Sequence, residues 1–372
     1  MDFNLSIPVK VISGKGCVRK NSSLFSAFGS KCIIVTGGKS AMLSGALDDV
    51  TAALNEQQIK YTIFNKIGPN PLLEACHEAG EAARNFGAQF VIGIGGGSPL
   101  DAAKATAVFA ANEAFSPNDV YAVSNRNRAL PLVLIGTTAG TGSEVGRVAV
   151  LTNGKTGRKK SISPDDCNPS LTFADSTYTH SMPYSVTVST ALDALSHALE
   201  GYFSVKCGDI PTMFAEKAIP MIWQGLNQLE DTKEVPNDQL REQLYYGSLY
   251  AGITLAYCGT AFPHPLGYIL TENYGTAHGT ACAAFMPSFM ERAEKYENSK
   301  FSKVMDMTGE TLQSFCRKIK NLTNVGNITM TSEEIEAYCS RWDEVIPANF
   351  KFSPGGYTKQ DAQKLLEKLF KI

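Results

Sequence analysis

At 372 residues the chain is long enough for two domains of roughly 150 residues each, and its 44 % apolar and 19 % charged content describes a folded, core-bearing protein. Its 34 Lys and Arg nearly balance 36 Asp and Glu, leaving a formal charge of −2 without the basic excess that nucleic-acid backbones require. Nine cysteines without CxxC pairs read as reduced core thiols of a cytoplasmic protein, not as a disulfide or zinc framework.

The opening MDFNLSIPVKVISG lacks the basic start and continuous apolar run of a signal peptide. No secretion is expected, and the sequons at Asn21, Asn321 and Asn327 are read as chance. Up to about residue 180, short β-branched runs alternate with helical patterns, the signature of a mostly parallel sheet covered by helices. Strands are expected at 31–36 (KCIIVT), 61–64, 90–94 (FVIGI) and 131–135 (PLVLI), and helices at 44–57 and 72–86. The second helix carries Leu73, Cys76, Ala79 and Ala83 at helical spacing.

Two glycine-rich turns follow strands in this half. In VIGIGGGSPLDAAKA, Gly95, Gly96, Gly97 and Ser98 precede a helix whose first turns hold Pro99 and Asp101. Such a turn lets backbone amides approach a diphosphate, and the helix N-terminus adds partial positive charge. The GxGxxG fingerprint is not met, so only its physical logic carries over. In IGTTAGTGSEV, Gly136, Thr137, Thr138, Gly140, Thr141, Gly142 and Ser143 follow PLVLI. Singly each is equally a tight strand-to-helix turn; together they suit one extended dinucleotide. A P-loop fails at Gly38-Lys39-Ser40 and at Gly154-Lys155-Thr156, because its first glycine would fall on Ile33 and Ala149. After the first clear strand, VTGGKS places Gly37, Gly38, Lys39 and Ser40 where a carboxylate would bind a ribose hydroxyl. Its absence favours NADP over NAD.

After about Pro183 the alternation stops, and helices are expected at 186–202, 213–229 and 237–256, with a terminal one carrying Leu365, Leu366 and Leu369. The expected organisation is an α/β NAD(P)-binding domain, Rossmann-like, over 1–182 and an all-helical metal-binding domain over 183–372. Residues 243–271 contain no charged side chain, but Ser248, Thr254, Thr260, Pro263, His264 and Pro265 interrupt them. They read as helix buried in protein, not as a membrane span.

Only five histidines are present, and three fall in two segments of the second half. In TALDALSHALEGY, Asp193 and His197 are four apart and share one helix face. A carboxylate in so apolar a helix is costly unless paired or bound to a metal. In AFPHPLGYILTENYGTAHG, His264 and His278 are separated by enough chain for a helix and a turn to bring them together. One carboxylate and three imidazoles would make a site without thiolate, suited to iron(II), zinc or manganese. The bland alternatives are a buried Asp193–His197 hydrogen-bonded pair and a core His264. His77 is expected on a solvated helix face, and His180 in a structural loop.

These motifs, in this order and over nearly the whole chain to about residue 295, resemble the iron-containing (group III) alcohol dehydrogenases of the dehydroquinate-synthase-like superfamily. The resemblance implies that Asp193, His197, His264 and His278 bind one divalent metal, iron(II) in most members and zinc in some. It also implies that Gly96, Gly97, Ser98, Thr137, Thr138, Thr141 and Ser143 line the cofactor, with Asp101 in the adjoining helix. Lys159 is similar to a cofactor-contacting lysine of the family, with Lys160 as its rival, and Asn70 to a residue near the adenosine side. One departure stands out: many members carry a further histidine four residues after the third ligand, where this chain has Tyr268. Its hydroxyl is expected to take part in proton relay, although an ordinary pKa near 10 makes it a poor base.

The implied activity is reversible hydride transfer between a small primary alcohol, or its aldehyde, and NAD(P), with the metal as Lewis acid. Phe262, Tyr268 and Phe285 are expected to line an apolar substrate pocket. Two enzymes of the same fold are the alternatives, a dehydroquinate-synthase-like lyase and a glycerol dehydrogenase-like enzyme; a non-catalytic binding protein is a third. The lyase would need several cations around an anionic substrate, but residues 183–290 hold only Lys206, Lys217, Lys233 and Arg241, none of them in the two histidine-bearing segments. A homodimer or larger oligomer, without nucleic-acid or membrane partners, completes the expectation.

Overall fold

The computed structural model describes residues 6–121 and 126–372; the opening MDFNL, considered above as a possible leader, lies outside them. Two compact units are formed, Met1–Met182 with Asn237–Tyr245, and Pro183–Pro236 with Tyr246–Ile372. The expected division at 182/183 therefore omits one detail, the return of 237–245 to the first unit. Arg241 explains that return: its buried guanidinium donates to the carbonyls of Thr179 and Met182, closing the end of the first unit.

The first unit contains β1 (Lys10–Ser13), α1 (Cys17–Lys20), β2 (Lys31–Gly37), α2 (Ser40–Leu43), α3 (Ala46–Glu56), β3 (Lys60–Ile67) and α4 (Leu73–Phe86). It continues with β4 (Phe90–Gly95), α5 (Gly97–Ala111), β5 (Leu132–Gly136), β6 (Ala149–Thr152), β7 (Lys159–Ile162) and β8 (Leu171–Ala174). Six strands form a wholly parallel sheet in the order β1-β8-β5-β4-β2-β3, while β6 and β7 make a separate antiparallel ribbon. Both sheet faces are covered, so β4 and β5 are buried at every position. Alternate side chains serve opposite cores: Ile33 and Val35 face α4 and α5, whereas Cys32 and Ile34 face α1 and α3.

The sheet order also locates the binding edge. From β2 the chain adds β3 on one side and then returns to place β4 on the other. This reversal makes a crevice beyond the carboxyl ends of β2 and β4, where open α/β sheets bind ligands. The residue pairs Gly37–Gly38 and Gly95–Gly96 stand at those two ends.

The second unit is helical among its described residues: α6 (Tyr184–Tyr202), α7 (Asp209–Thr232), α8 (Asp238–Cys258, begun in the first unit), α9 (Pro263–Tyr274) and α10 (His278–Ala283). Then come α11 (Met286–Tyr296), α12 (Asn298–Thr308), α13 (Leu312–Thr323), α14 (Ser332–Cys339), α15 (Ala348–Phe352) and α16 (Lys359–Phe370). Residues 191–202 of α6 are buried without interruption, which explains the missing polar face in its sequence. The uncharged stretch 243–271 divides into α8 and α9, and no described helix is long and apolar enough to cross a membrane.

Candidate functional site

Three helices of the second unit converge because two glycines let their backbones touch. A Cβ at Gly279 would stand 1.9 Å from the Ser189 carbonyl oxygen and 2.7 Å from Asp193 Cβ. A Cβ at Gly267 would stand 2.9 Å from the backbone of Cys282. Without those missing methyls, α10 could not seat against both α6 and α9. The seat places His278, first residue of α10, beside Asp193 and His197 on α6, with His264 entering from the first turn of α9.

All four expected metal-site residues meet there. Asp193 Oδ1 lies 3.7 Å from His197 Nε2 and 3.8 Å from Nε2 of both His264 and His278. His264 Nε2 and His197 Nε2 are 3.0 Å apart, and their rings stack at a 4.9 Å centroid separation. Donors held roughly 2.0–2.1 Å from one tetrahedral ion stand roughly 3.3 Å from each other, a value these spacings bracket. A carboxylate and three imidazoles around one point thus fit a divalent first-row metal. The Asp193 and His264 side chains are each 4 % exposed and that of His197 7 %, but His278 is 31 % exposed. Solvent reaches the cluster from the His278 side. Tyr268 stands there too, its ring stacked on His278 at 5.6 Å.

Two neighbours escaped the sequence reading. Glu200, wholly buried, accepts hydrogen bonds from His264 Nδ1 at 2.8 Å and from the Ala261 amide at 2.6 Å. The carboxylate assigns the imidazole proton to Nδ1 and leaves the Nε2 lone pair facing the centre. Burial raises the Glu200 pKa, with His264 and the Ala261 amide opposing. The second neighbour is Cys282, whose Sγ lies within 4.8 Å of ligand atoms of Asp193, His264 and His278. The sequence reading placed no sulfur at this site, and a thiol is present, one helical turn beyond His278.

In the first unit, the two glycine-rich turns pack on each other. Thr137 N donates to the Gly95 carbonyl at 2.9 Å. A Cβ at Gly96 would stand 3.0 Å from Thr138 Cγ2, and one at Gly97 2.7 Å from Thr141 Cγ2. Gly95 has φ +151°, a conformation that L side chains rarely adopt. Ser98 Oγ accepts from the Asn70 amide at 3.1 Å, and Thr152 of β6 pairs with both Leu72 and Lys159. Asn70, Ser98 and Lys159 are thereby gathered along one edge. Residues 38–40 are exposed at the end of β2.

Asp101 and Ser143, expected at the cofactor, bond to one another. Ser143 Oγ donates to Asp101 Oδ1 at 2.6 Å, while Asp101 Oδ2 accepts from Val150 N at 2.8 Å. Lys104, wholly buried, donates to Ser143 Oγ and O at 2.7 Å and to Val148 O at 2.8 Å. Burial pulls the Lys104 pKa down and Asp101 opposes it; three filled donor positions favour the ammonium. This network braces the second turn against α5.

Other expectations move. Phe262 stacks on Tyr357 at 3.9 Å and Phe285 packs on Phe370, so both are also part of the buried core. His77 is not a solvated residue: its Nε2 lies 2.8 Å from the Phe115 carbonyl. His180 stands 3.2 Å from Asp238.

Comparison with known proteins gives matches along both units. The family model described as iron-containing alcohol dehydrogenase matches residues 8–176, and that described as the C-terminal part of the Fe-containing alcohol dehydrogenase family matches 187–351. The NADH-dependent butanol dehydrogenase A of Clostridium acetobutylicum is 31 % identical over 78 % of this chain and 75 % of its own. The NADPH-dependent butanol dehydrogenase of Clostridium saccharobutylicum is 28 % identical over 88 % and 84 % respectively. Among solved structures, an iron-containing alcohol dehydrogenase from Thermotoga maritima is 32 % identical, with a TM-score of 0.89 over 99 % of both chains.

Proposed function

Since this chain belongs to the iron-containing alcohol dehydrogenase family and is an NAD(P)-linked oxidoreductase acting on CH–OH groups, we propose that Asp193, His197, His264 and His278 together hold its divalent metal, iron(II) or zinc. The observation that carries this reading is the placement of three imidazole Nε2 atoms 3.7 to 3.8 Å from Asp193 Oδ1, with those of His197 and His264 3.0 Å apart, in a cluster buried except at His278. As a dehydrogenase it leaves the lyase alternative without support. When bound, the metal supplies a Lewis acid and the nicotinamide a two-electron acceptor.

The protein's own groups prepare that site. Glu200 orients His264 and keeps its proton on Nδ1, while the burial of Asp193 and His197 keeps bulk water away. The exposed flank of His278 is the approach for a small primary alcohol or its aldehyde. Tyr268, stacked there, is the proposed participant in proton exit, its hydroxyl passing the proton outward through solvent.

For the cofactor, residues 37–40, Asn70, the turn 96–98, Thr137, Thr138, Thr141 and Lys159 form the proposed binding edge. Asp101 and Ser143 belong to the same proposed edge and brace it through their mutual hydrogen bond. NADP is the preferred form: residues 38–40 offer Lys39 and Ser40 to a 2′-phosphate and no carboxylate to repel it. Nine free thiols suit a reducing cytoplasm. A homodimer or larger assembly, carried over from the family resemblance, is checked by light scattering. The direct functional test is a panel of alcohols and aldehydes with NADPH and NADH after anaerobic loading with iron or zinc. Small primary alcohols with NADP should give the highest kcat/KM; equal or better use of NAD would overturn the cofactor assignment.

A further inference from the structure

Cys282 is a buried thiol set against the cluster of Asp193, His264 and His278. Its Sγ stands 3.7 Å from Nδ1 and 3.8 Å from Nε2 of His278, beside the ring and not behind it. The same sulfur, one oxygen of Asp193 and one nitrogen each of His264 and His278 lie within 4.8 Å of one another. On its other side the backbone of α9 closes in, because a methyl at Gly267 would reach within 2.8 Å of the sulfur. The thiol is buried between that backbone and the cluster.

The spacing is compatible with a fifth donor. Around one ion at roughly 2.0–2.3 Å, neighbouring donors lie roughly 3 Å apart and opposed ones roughly 4.3 Å. The observed contacts fall near this range, so a small closing of the cluster brings the sulfur into it. Chemistry then separates this centre from one built only of nitrogen and oxygen. Thiolate is a soft donor that favours zinc over harder ions.

We propose that Cys282 supplies a thiolate sulfur to the metal held by Asp193, His197, His264 and His278, and that this sulfur biases the centre toward zinc over iron(II). The inference rests on the four-ligand reading above. On loading, the S–H bond is exchanged for a sulfur–metal bond and the thiol proton leaves to solvent; no redox change is involved.

Cobalt(II) is the probe. Full-length wild type, Cys282→Ser and Cys282→Ala are stripped of metal, loaded anaerobically with one equivalent of cobalt(II), and their optical spectra recorded. Visible ligand-field bands are expected in all three, and a near-ultraviolet thiolate-to-cobalt band in the wild type alone. In competition, the preference for zinc over iron(II) should fall about tenfold or more in Cys282→Ser. Ligand-field bands without the near-ultraviolet band in the wild type would overturn the sulfur assignment and leave the four-ligand site standing. Persistence of that band in both variants would also overturn it. Failure of the wild type to retain cobalt would overturn the four-ligand reading and this proposal with it. The wild-type spectrum decides even if a variant does not fold.

Discussion

Replacing Glu200 by Gln changes little volume but removes an acceptor where two donors meet. The carboxylate receives the His264 Nδ1 proton at 2.8 Å and the Ala261 amide proton at 2.6 Å in a wholly buried position. A glutamine has one oxygen and one NH2 group, so it can serve one of those donors and must oppose the other. If the NH2 group faces His264, the imidazole proton moves to Nε2 and sits where the metal must bind. An unsatisfied buried donor costs about 1–3 kcal/mol. Independently, loss of a partner behind a ligating histidine weakens metal binding by roughly 10- to 100-fold, about 1.4–2.7 kcal/mol. The two routes agree, and Glu200→Gln should raise the metal Kd within that span. Titration of the metal-free protein against a competing chelator measures it. A Kd within about threefold of wild type would refute the reasoning.

Gly279→Ala drives a methyl to 1.9 Å from the Ser189 carbonyl; it should destabilise the protein by about 3 kcal/mol, read as a lowered thermal midpoint together with metal loss. Gly38→Asp meets no atom within 4 Å and so should fold normally; its carboxylate should lower the NADP-over-NAD ratio of kcat/KM about tenfold or more by repelling the 2′-phosphate. Burial raises the pKa of Asp166, but Arg126 and the Ala129 amide outweigh it and hold the carboxyl below its ordinary value. Its stabilisation is therefore complete above the unfolded pKa near 3.9 and is lost as pH falls through the lower folded value. Asp166→Asn should cost about 2 kcal/mol at neutral pH, with thermal midpoints of variant and wild type converging in acid.

Three of the four expected strands are buried on both faces, because KCIIVT, FVIGI and PLVLI are continuous apolar runs, and the fourth, 61–64, is the middle of the edge strand β3. Their neighbours were harder: β1 is a partly exposed edge strand of four residues, β8 is equally short, and β6 with β7 forms a small ribbon whose exposed positions break the pattern. Helix 44–57 is found as α3, which starts just after Gly45 at φ +80°, whereas the four-residue α2 before it was too short to carry a period. In the site, the ligand helix was found from Asp193 and His197, yet Glu200 continues the same face at a spacing of three residues from His197 and was passed over. Cys282, four residues beyond His278, carried the same signal. Neither could be weighed without knowing that Gly267 and Gly279 bring α9 and α10 into backbone contact. Asp101 was legible as a residue beside a phosphate-type turn, but its bracing role was not. Its partners Ser143 and Val150 come from distant chain, where spacing is silent.

Metal occupancy measured against turnover decides the matter. The chelated protein should lose NAD(P)-dependent oxidation of a primary alcohol and regain it in proportion to iron(II) or zinc, reaching full rate at one ion per chain. Asp193→Ala should neither hold the ion nor recover. Undiminished turnover by metal-free protein would contradict this account.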